Sequence, residues 1–460
     1  MYQISMDKPC HVHFIGIGGI SMSGIAQILL SRGFTVSGSD SRESPLTQKL
    51  EQLGARVFYG QKAENIPADT DVVVYSAAIH PDNPEYAGAV SRGLPMLRRA
   101  QLLGQMMDYY KEAVNVAGTH GKTTTTSLIS EVMLEAGKDP TISVGGILPS
   151  IGGNVRIGGN QYFIAEACEY TNSFLFFRPT ANVVLNVEAD HLDFFKNLDD
   201  IRHSFRKFCE LVPERGFLVI NSGIRDLSYF TDGLKCRVIT FGWDPDSDYT
   251  AKDVTYDEFA HPSFTVVKKG TGEVGRVVMR IPGEHNVLNA LAALAVCDQY
   301  GIPMAAIEKG ISNFTGTERR FERKGVWNGV TVVDDYAHHP QEIEATLKTA
   351  LRCPHKTLWC VFQPHTYTRT KALMDDFAKA LSLADKVVLA KIFPARETDT
   401  LGISADDVRR KVEALGKPSW YFETFEDIEK FLRENCVPGD LLITMGAGDV
   451  WKVGEDLVRQ

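Results

Sequence analysis

Residues 114–126 read Val-Asn-Val-Ala-Gly-Thr-His-Gly-Lys-Thr-Thr-Thr-Thr, and this stretch decides the fold prediction. An extended apolar run passes through a turn with two glycines into a helical pattern that begins at Lys122. Such a turn offers backbone N–H groups to phosphates, Lys122 reaches the β- and γ-phosphates, and the Thr123 hydroxyl binds Mg²⁺. Val116 replaces the first glycine of the full phosphate-loop pattern, so this is a shortened variant. The predicted nucleotide-binding residues are Gly118, Thr119, His120, Gly121, Lys122, Thr123 and Thr124.

A second glycine turn, Gly-Ile-Gly-Gly-Ile-Ser at residues 16–21, follows an extended run from His11 to Ile15. Asp40 stands about twenty residues further on, at a predicted strand end. The pattern fits a dinucleotide site with Asp40 on a ribose, a tight turn without ligand, or a site for another nucleotide diphosphate. On these residues alone the three interpretations stay open. The candidate binding residues are Gly16, Gly18, Gly19, Ser21 and Asp40.

The chain has 460 residues, enough for about three domains, and strands alternate with helices in three series. We predict an α/β protein whose domains span residues 1–107, 108–322 and 323–460. A small antiparallel annex is expected from Arg237 to Arg280, and a single helix near Lys371 to Leu383.

Composition limits the function classes. The 49 Lys and Arg against 58 Asp and Glu give a net charge of −9, which argues against nucleic acid or an anionic membrane as the main partner. No apolar run is long enough to span a membrane, and the N-terminus lacks a secretory pattern, so a cytoplasmic protein is expected. The eight cysteines form no C-x-x-C pair, which excludes a zinc-ribbon type of site.

Acidic and histidine residues follow two strands of the predicted second domain. Glu166 and Glu169 come after the strand from Tyr162 to Ala165, and His191 lies in the segment that follows the next strand. The carboxyl ends of parallel strands form the ligand-binding edge of an α/β sheet, the same edge as the phosphate loop. We therefore predict that Thr123, Glu166 and His191 bind metal. The alternative for each acid or histidine alone is a surface carboxylate or a packed imidazole.

Two polar segments follow strands of the third domain. One reads Asp-Asp-Tyr-Ala-His-His-Pro at residues 334–340, and the other Gln-Pro-His-Thr-Tyr-Thr-Arg-Thr at 363–370. Solvated loops would explain both, but these segments carry more polar chemistry than a connection requires. We expect them to serve a site shared with the second domain.

Taken together in order, these motifs resemble the Mur ligase family. The resemblance covers essentially the whole chain and adds the segments Glu-His-Asn-Val-Leu-Asn-Ala at 284–290 and Arg-Arg-Phe at 319–321. It implies a Rossmann-like N-terminal domain that holds a UDP-sugar, a central P-loop ATPase domain, and a Rossmann-like C-terminal domain that brings the amino acid. The first glycine turn would then bind the UDP diphosphate, without NAD.

For the alanine-adding branch, the resemblance implies ATP-dependent joining of L-alanine to the lactyl carboxylate of UDP-N-acetylmuramate, through an acyl phosphate, in peptidoglycan synthesis. ATP and Mg²⁺ are the implied cofactors, and a monomer or homodimer is expected. The implied catalytic residues are Lys122, Glu166, His191, His338 and Arg369. His285 and Asn289 would lie near the adenine, Arg320 and Asp335 near the phosphates and ribose, and Tyr336, His338, His365 and Arg369 around the alanine.

Two departures from the family pattern concern this site. Many relatives have Glu-Ala-Asp-Glu-Ser-Asp where this chain has Glu-Ala-Cys-Glu-Tyr-Thr at residues 166–171, and Thr366 replaces a common arginine. The alternatives are a sister ligase, such as a muropeptide-recycling enzyme, an NAD-dependent oxidoreductase, and a non-catalytic nucleotide-binding regulator. The oxidoreductase would leave Lys122 and Thr123 unused, and the regulator would need neither Glu166 nor His191.

Overall fold

A computed structural model describes residues 2–191, 194–395 and 397–459. The chain folds into two compact units, each with α/β architecture. The first unit comprises the chain up to residue 188 with 198–250 and 291–310, and the second comprises 189–197, 251–290 and the chain from 311 onward. None of the described helices combines the length and the apolar character needed to cross a membrane.

The N-terminal sheet has five parallel strands in the order β3-β2-β1-β4-β5. This order is doubly wound, with its crevice at the carboxyl ends of β1 and β4, and it confirms the predicted Rossmann-like fold. The elements are β1 (His11–Ile15), α1 (Ile20–Ser31), β2 (Thr35–Asp40), α2 (Pro45–Gln52), β3 (Arg56–Tyr59), β4 (Val72–Tyr75), α3 (Pro84–Ser91), β5 (Met96–Arg98) and α4 (Arg99–Met107).

The central sheet of the first unit runs β12-β11-β10-β6-β9-β7-β8, and only the edge strand β8 is antiparallel. Its inner strands are buried on both faces, which explains why they read as continuous apolar runs. The elements are β6 (Glu112–Ala117), α5 (Lys122–Glu135), β7 (Thr141–Leu148), β8 (Gly153–Arg156), β9 (Tyr162–Glu166), β10 (Ala181–Val184), α6 (Leu198–Glu210), β11 (Phe217–Asn221), α7 (Leu227–Thr231) and β12 (Arg237–Gly242).

The predicted antiparallel annex is only partly correct. Strand β12 pairs in parallel with β11, and the first two residues of β13 (Tyr249–Tyr256) pair in parallel with β12. Strand β14 (Pro262–Lys268), which neighbours β13 in the sheet, forms an antiparallel hairpin with β15 (Gly272–Val278). Short β-like segments reveal extension but not the direction of their neighbour, which is why the sequence pattern misassigned β12. Helices α8 (His285–Gln299) and α9 (Met304–Asn313) follow.

The C-terminal sheet runs β16-β17-β21-β18-β19-β20, with β16 antiparallel at one edge and the other strands parallel. One buried cluster lies under α10, α12 and α13, and a second under α14 and α15, so both faces are covered. The elements are β16 (Glu322–Trp327), β17 (Val330–Asp335), α10 (Pro340–Ala350), β18 (Leu358–Phe362), α11 (Tyr367–Ala372), α12 (Met374–Leu381), β19 (Lys386–Ala390), α13 (Ala405–Ala414), β20 (Ser419–Phe422), α14 (Phe425–Asn435), β21 (Leu441–Met445) and α15 (Trp451–Val458).

The single helix predicted near Lys371 to Leu383 is two helices. Leu373 separates them because its backbone, with φ −114° and ψ 21°, leaves the helical region. Asp375 and Asp376 then stand in the first turn of α12, where carboxylates complement the helix dipole. The apolar spacing continued across the break and hid it. The domain boundaries at residues 108 and 322 stay a prediction.

Candidate active site

The phosphate-loop turn joins β6 to α5 and requires its glycines. Gly118 and Gly121 have φ of 151° and 84°, values that side chains strongly disfavour. Gly121 directly precedes Lys122 at the start of the helix, so the N-terminal N–H groups of α5 face the turn. Thr123 and Thr124 are buried in the first helical turn. The local geometry is therefore that of an anion site at a helix N-terminus.

The ammonium of Lys122 lies across this turn. Its Nζ donates to the carbonyl oxygens of Gly118 at 2.6 Å and Thr119 at 3.1 Å, and it pairs with Glu169 Oε2 at 3.2 Å. Burial lowers the pKa of Lys122, but Glu169, together with Cys168 and Glu166, outweighs burial, so the pKa is raised and the cation persists. Glu169 is buried; it was expected at the same strand end as Glu166 but was not among the predicted site residues. Its only signal was its place three residues after Glu166.

Glu166 ends β9, beside β6 in register, so it lies on the same sheet edge as the turn that leads to Thr123. Its Oε1 accepts a hydrogen bond of 2.6 Å from the backbone N–H of Gly145 on β7. A Cβ at Gly145 would lie 2.6 Å from Glu166 Oε2, so only glycine allows this approach. A hydroxyl and a carboxylate on one sheet edge suit Mg²⁺, which prefers oxygen ligands.

The segment after β10 holds the phosphate loop from its other side. Asn186 bonds His120 twice, accepting its N–H at 2.8 Å and donating to its carbonyl oxygen at 3.1 Å. The Glu188 N–H donates to Thr119 Oγ1 at 2.9 Å, and the Glu188 carboxylate lies 3.3 Å from His120 Nε2. Asn186 and Glu188 were not among the predicted site residues, although they belong to the segment that precedes His191.

The N-terminal glycine turn is tied to the end of β2. Gly16 has φ 82°, Gly19 precedes α1, and Ser21 lies in the first turn of that helix. The Gly18 N–H donates to Asp40 Oδ2 at 2.8 Å, and a Cβ at Gly18 would lie 2.8 Å from the same oxygen. The Asp40 carboxylate therefore accepts a hydrogen bond from the backbone of the glycine turn.

In the second unit, four predicted residues come together. The His338 ring packs edge-on against Tyr336 and His365, with centroid distances of 5.4 and 5.8 Å. Arg369 Nη1 lies 3.4 Å from His365 Nδ1. These residues come from the segments that follow β17 and β18. The two strands flank β21 and run parallel to it, so their carboxyl ends lie at the same edge of the sheet. The sequence prediction named this set, and the structure places it in one cluster.

Asp190 joins the same cluster and was not predicted. It belongs, with His191, to the short segment 189–197 of the second unit, and its Oδ1 lies 3.2 Å from Arg369 Nη2. Burial alone would raise the pKa of Asp190, but His191 and Arg369 bring the pKa well below its usual range. His191 takes a backbone φ of 52°, and its N–H donates to Asp190 Oδ1 at 2.7 Å.

His338 is a neutral base in this cluster. Burial lowers the pKa of His338 from its ordinary 6.5 to about 4, although the Glu342 carboxylate opposes the shift. Its Nδ1 lies 3.1 Å from the carbonyl oxygen of Tyr336. A carbonyl oxygen only accepts, so Nδ1 carries the proton and Nε2 keeps its lone pair. The ring can therefore accept a proton at Nε2.

The Asp335 carboxylate binds two backbone N–H groups. It accepts the N–H groups of Phe321 and Ala337, each at 2.7 Å. Burial raises the pKa of Asp335 to about 6, although Arg320 acts in the opposite direction. The Arg320 guanidinium lies over the Tyr336 ring, 5.3 Å from its centroid. Asp335 thus joins the segment before β16 to the segment after β17, and the contacts of Arg320 and Asp335 with the phosphates and ribose stay a prediction.

His285 and Asn289 lie one turn apart at the start of α8. His285 is exposed and Asn289 is buried. Asn289 Nδ2 donates to Asn286 Oδ1 at 2.9 Å, and Asn286 Nδ2 donates to the carbonyl oxygen of Pro282 at 2.7 Å. A chain of side-chain amides therefore fixes the first turn of the helix, and the contact with adenine stays a prediction.

Three family models match the chain in succession. They are the Mur ligase family catalytic domain over residues 11–111, the Mur ligase middle domain over 116–297, and the Mur ligase glutamate ligase domain over 319–448. The chain belongs to the Mur ligase family. Enzymes of this family are ATP-dependent ligases, so the dinucleotide-dependent oxidoreductase and the non-catalytic regulator are no longer favoured.

Individual relatives are similar to this chain over all or nearly all of its length. The UDP-N-acetylmuramate–L-alanine ligase of Lachnospira eligens is 60% identical, with both chains covered completely. The solved UDP-N-acetylmuramate–alanine ligase of Thermotoga maritima is 30% identical, with a TM-score of 0.83 and 98% of each chain covered. A murein peptide ligase of Psychrobacter arcticus covers the same share at 24% identity and a TM-score of 0.73, a likeness of fold alone.

Proposed function

We propose that this chain is the ATP-dependent ligase that joins L-alanine to the lactyl carboxylate of UDP-N-acetylmuramate in peptidoglycan precursor synthesis, in the cytoplasm. The observation that carries the proposal is the 60% identity, over both complete chains, to a ligase of that name. The paired Lys122 and Glu169 at the phosphate turn and the cluster around His338 supply the two kinds of site that such a reaction needs.

The reaction has two chemical steps. The lactyl carboxylate attacks the γ-phosphorus of ATP, which releases ADP and leaves an acyl phosphate. The alanine amine then attacks the acyl carbon, loses a proton, and expels inorganic phosphate from the tetrahedral intermediate. The first step brings two anions together, so it depends on positive charge and in-line positioning. Lys122 and the N-terminus of α5 provide that charge in the first unit.

Thr123 and Glu166 are the residues that would hold Mg²⁺, and family resemblance suggests that His191 would hold a second Mg²⁺. A bound Mg²⁺ would neutralise charge on the phosphate oxygens. The Thr123 hydroxyl in the first turn of α5 and the Glu166 carboxylate at the end of β9 are oxygen donors that suit that ion. Glu166 is oriented for this task by the Gly145 N–H, which occupies one of its two oxygens.

The cluster of Tyr336, His338, His365 and Arg369 is the proposed alanine site. Arg369 carries five N–H donors in a planar fork, and the described contacts with Asp190 and His365 leave donors for the alanine carboxylate. Neutral His338 has a lone pair at Nε2 that can accept a hydrogen bond from the amine, while a pKa of about 4 makes it a weak base. We expect Arg369 to fix the amino acid and His338 to act on its nitrogen.

Phosphate release tests the proposal. The full chain is mixed with ATP, Mg²⁺ and UDP-N-acetylmuramate, and L-alanine, L-serine, glycine, D-glutamate and the preformed L-alanyl-γ-D-glutamyl-meso-diaminopimelate peptide are compared. L-alanine should give the fastest release. Preference for the peptide would move the chain to the recycling ligases, and release that is independent of any amino compound would contradict the ligase proposal.

Lys122→Ala tests the phosphate loop. Loss of its charge should lower kcat roughly 100- to 1000-fold, as for removal of one transition-state donor, while UDP binding stays unchanged. Lys111 is exposed and directly precedes β6, at the end of the strand opposite to the turn, so Lys111→Ala is the matched control. Equal turnover in the two variants would contradict the proposed role of Lys122.

A further inference from the structure

Arg99 lies beside the N-terminal glycine turn and has no role in the function proposed above. It is the first residue of α4, and its Nη1 donates to the Ser21 hydroxyl at 2.7 Å. Ser21 belongs to the first turn of α1, two residues after Gly19. Ser21 thus holds the Arg99 guanidinium at the N-terminus of α1, beside the crevice of the N-terminal sheet.

Burial lowers the pKa of Arg99, and the nearby thiol of Cys168 opposes this only in part. Within the part of the chain that the structure describes, Arg99 forms no ion pair with a carboxylate, and its side-chain partner is the neutral Ser21 hydroxyl. A partly buried cation without a counter-ion is costly, because its hydration is lost and no charge replaces it. An anionic ligand would remove this cost.

The charged groups around Arg99 indicate which kind of ligand this turn binds. Asp40 places a carboxylate against the glycine turn through its bond with the Gly18 N–H, so the turn has a negative charge of its own and one donor fewer. A diphosphate at this turn therefore needs a cation. Helix α4, which begins at Arg99, packs against the segment Tyr170–Phe176 that directly follows Glu169, the partner of Lys122.

We propose that Arg99 binds the diphosphate of the uridine nucleotide, with Ser21 holding the guanidinium in place. The planar fork of arginine can donate to oxygens of both phosphate groups, which a lysine ammonium cannot match. This inference rests on the proposed function only in that the substrate is a uridine diphosphate sugar. The diphosphate alone supplies the anion that the site requires.

Calorimetric titration of UDP and UMP into the full chain tests the inference. Arg99→Met should weaken UDP binding about 10- to 100-fold, the usual effect of losing a charged hydrogen bond, and should affect UMP less. Arg99→Lys should fall between wild type and Arg99→Met. Arg98→Met is the matched control, since Arg98 is exposed and adjacent, and it should bind UDP like wild type.

Two further measurements keep the result decisive. ATP binding and the melting temperature show whether Arg99→Met is folded; if it is not, the Arg99→Lys titration decides. UDP affinity equal to wild type in the folded variant would overturn the inference. So would a loss seen with UDP-N-acetylmuramate but not with UDP or UDP-N-acetylglucosamine, because the partner would then be the lactyl carboxylate. UDP binding needs no ligation, so failure of the proposed function is seen separately.

Discussion

At the scale of single residues, the charge state of Lys122 results from two opposing effects. Burial beside the phosphate turn favours the neutral amine, and the neighbouring groups, chiefly the buried Glu169 carboxylate, favour the ammonium and together prevail. The lysine is part of the recognisable motif, whereas its partner comes from a strand end more than forty residues away. The chemistry of a motif residue is thus set by a residue outside the motif.

Glu169→Gln should therefore change the pH dependence of ATP use. Without the carboxylate, the largest of the effects that raise the pKa of Lys122 is lost and this pKa falls, so kcat/KM for ATP should decline at lower pH than in wild type on the basic side of the profile. Glu169→Asp should restore part of the difference because it keeps the charge. Exposed Glu214 provides the control Glu214→Gln. A basic limb unchanged in Glu169→Gln would contradict the assignment.

At the scale of elements, a buried polar network lies against the N-terminal sheet. His13 on β1 and Ser39 on β2 both bond the carboxylate of Glu85 in α3, and Asn65 adds a third side-chain donor at 2.6 Å. Burial would raise the pKa of Glu85, but these donors together lower it, so the acid is ionised inside the fold. The Ser39 carbonyl oxygen also accepts the N–H of Gly16, so the network positions the glycine turn.

Gly145→Ala tests how β7 positions Glu166. The new methyl group would stand 2.6 Å from a carboxylate oxygen, so the carboxylate must move. We expect kcat to fall about 10- to 100-fold and the Mg²⁺ concentration at half-maximal rate to rise, because small displacements of catalytic groups are costly. Gly159→Ala is the control, as its nearest neighbour would lie at 3.5 Å. Equal rates would show that Glu166 is not required in this position.

At the scale of the whole molecule, a protein with a net charge of −9 must bind two anionic substrates. Positive charge is therefore local: Lys122 and Arg99 lie in the first unit, and Arg320 and Arg369 in the second. Global charge excluded a basic partner surface, and the positions of individual cations decide where anions bind.

The buried His338 makes the free energy of unfolding sensitive to acid. Its folded pKa of about 4 lies below the ordinary 6.5, so as pH falls the unfolded chain binds the proton first and stability is lost between these values. From pH 7.5 to 5.0 this group should remove about 2 kcal/mol. Urea unfolding should show that loss in wild type and in the exposed control His203→Asn, but not in His338→Asn. An equal loss in all three would contradict the assignment.

The sequence alone determined the α/β class, the two glycine turns, the family, and the set of polar residues after β17 and β18. These signals are local, because glycine turns, apolar strands and helical spacing depend on neighbours in the chain. The direction of β12, the break at Leu373, and the partners Glu169, Asn186 and Asp190 were decided by the tertiary structure. Strand pairing and buried charge balance join residues that are distant in sequence, and local patterns carry no record of which distant groups meet.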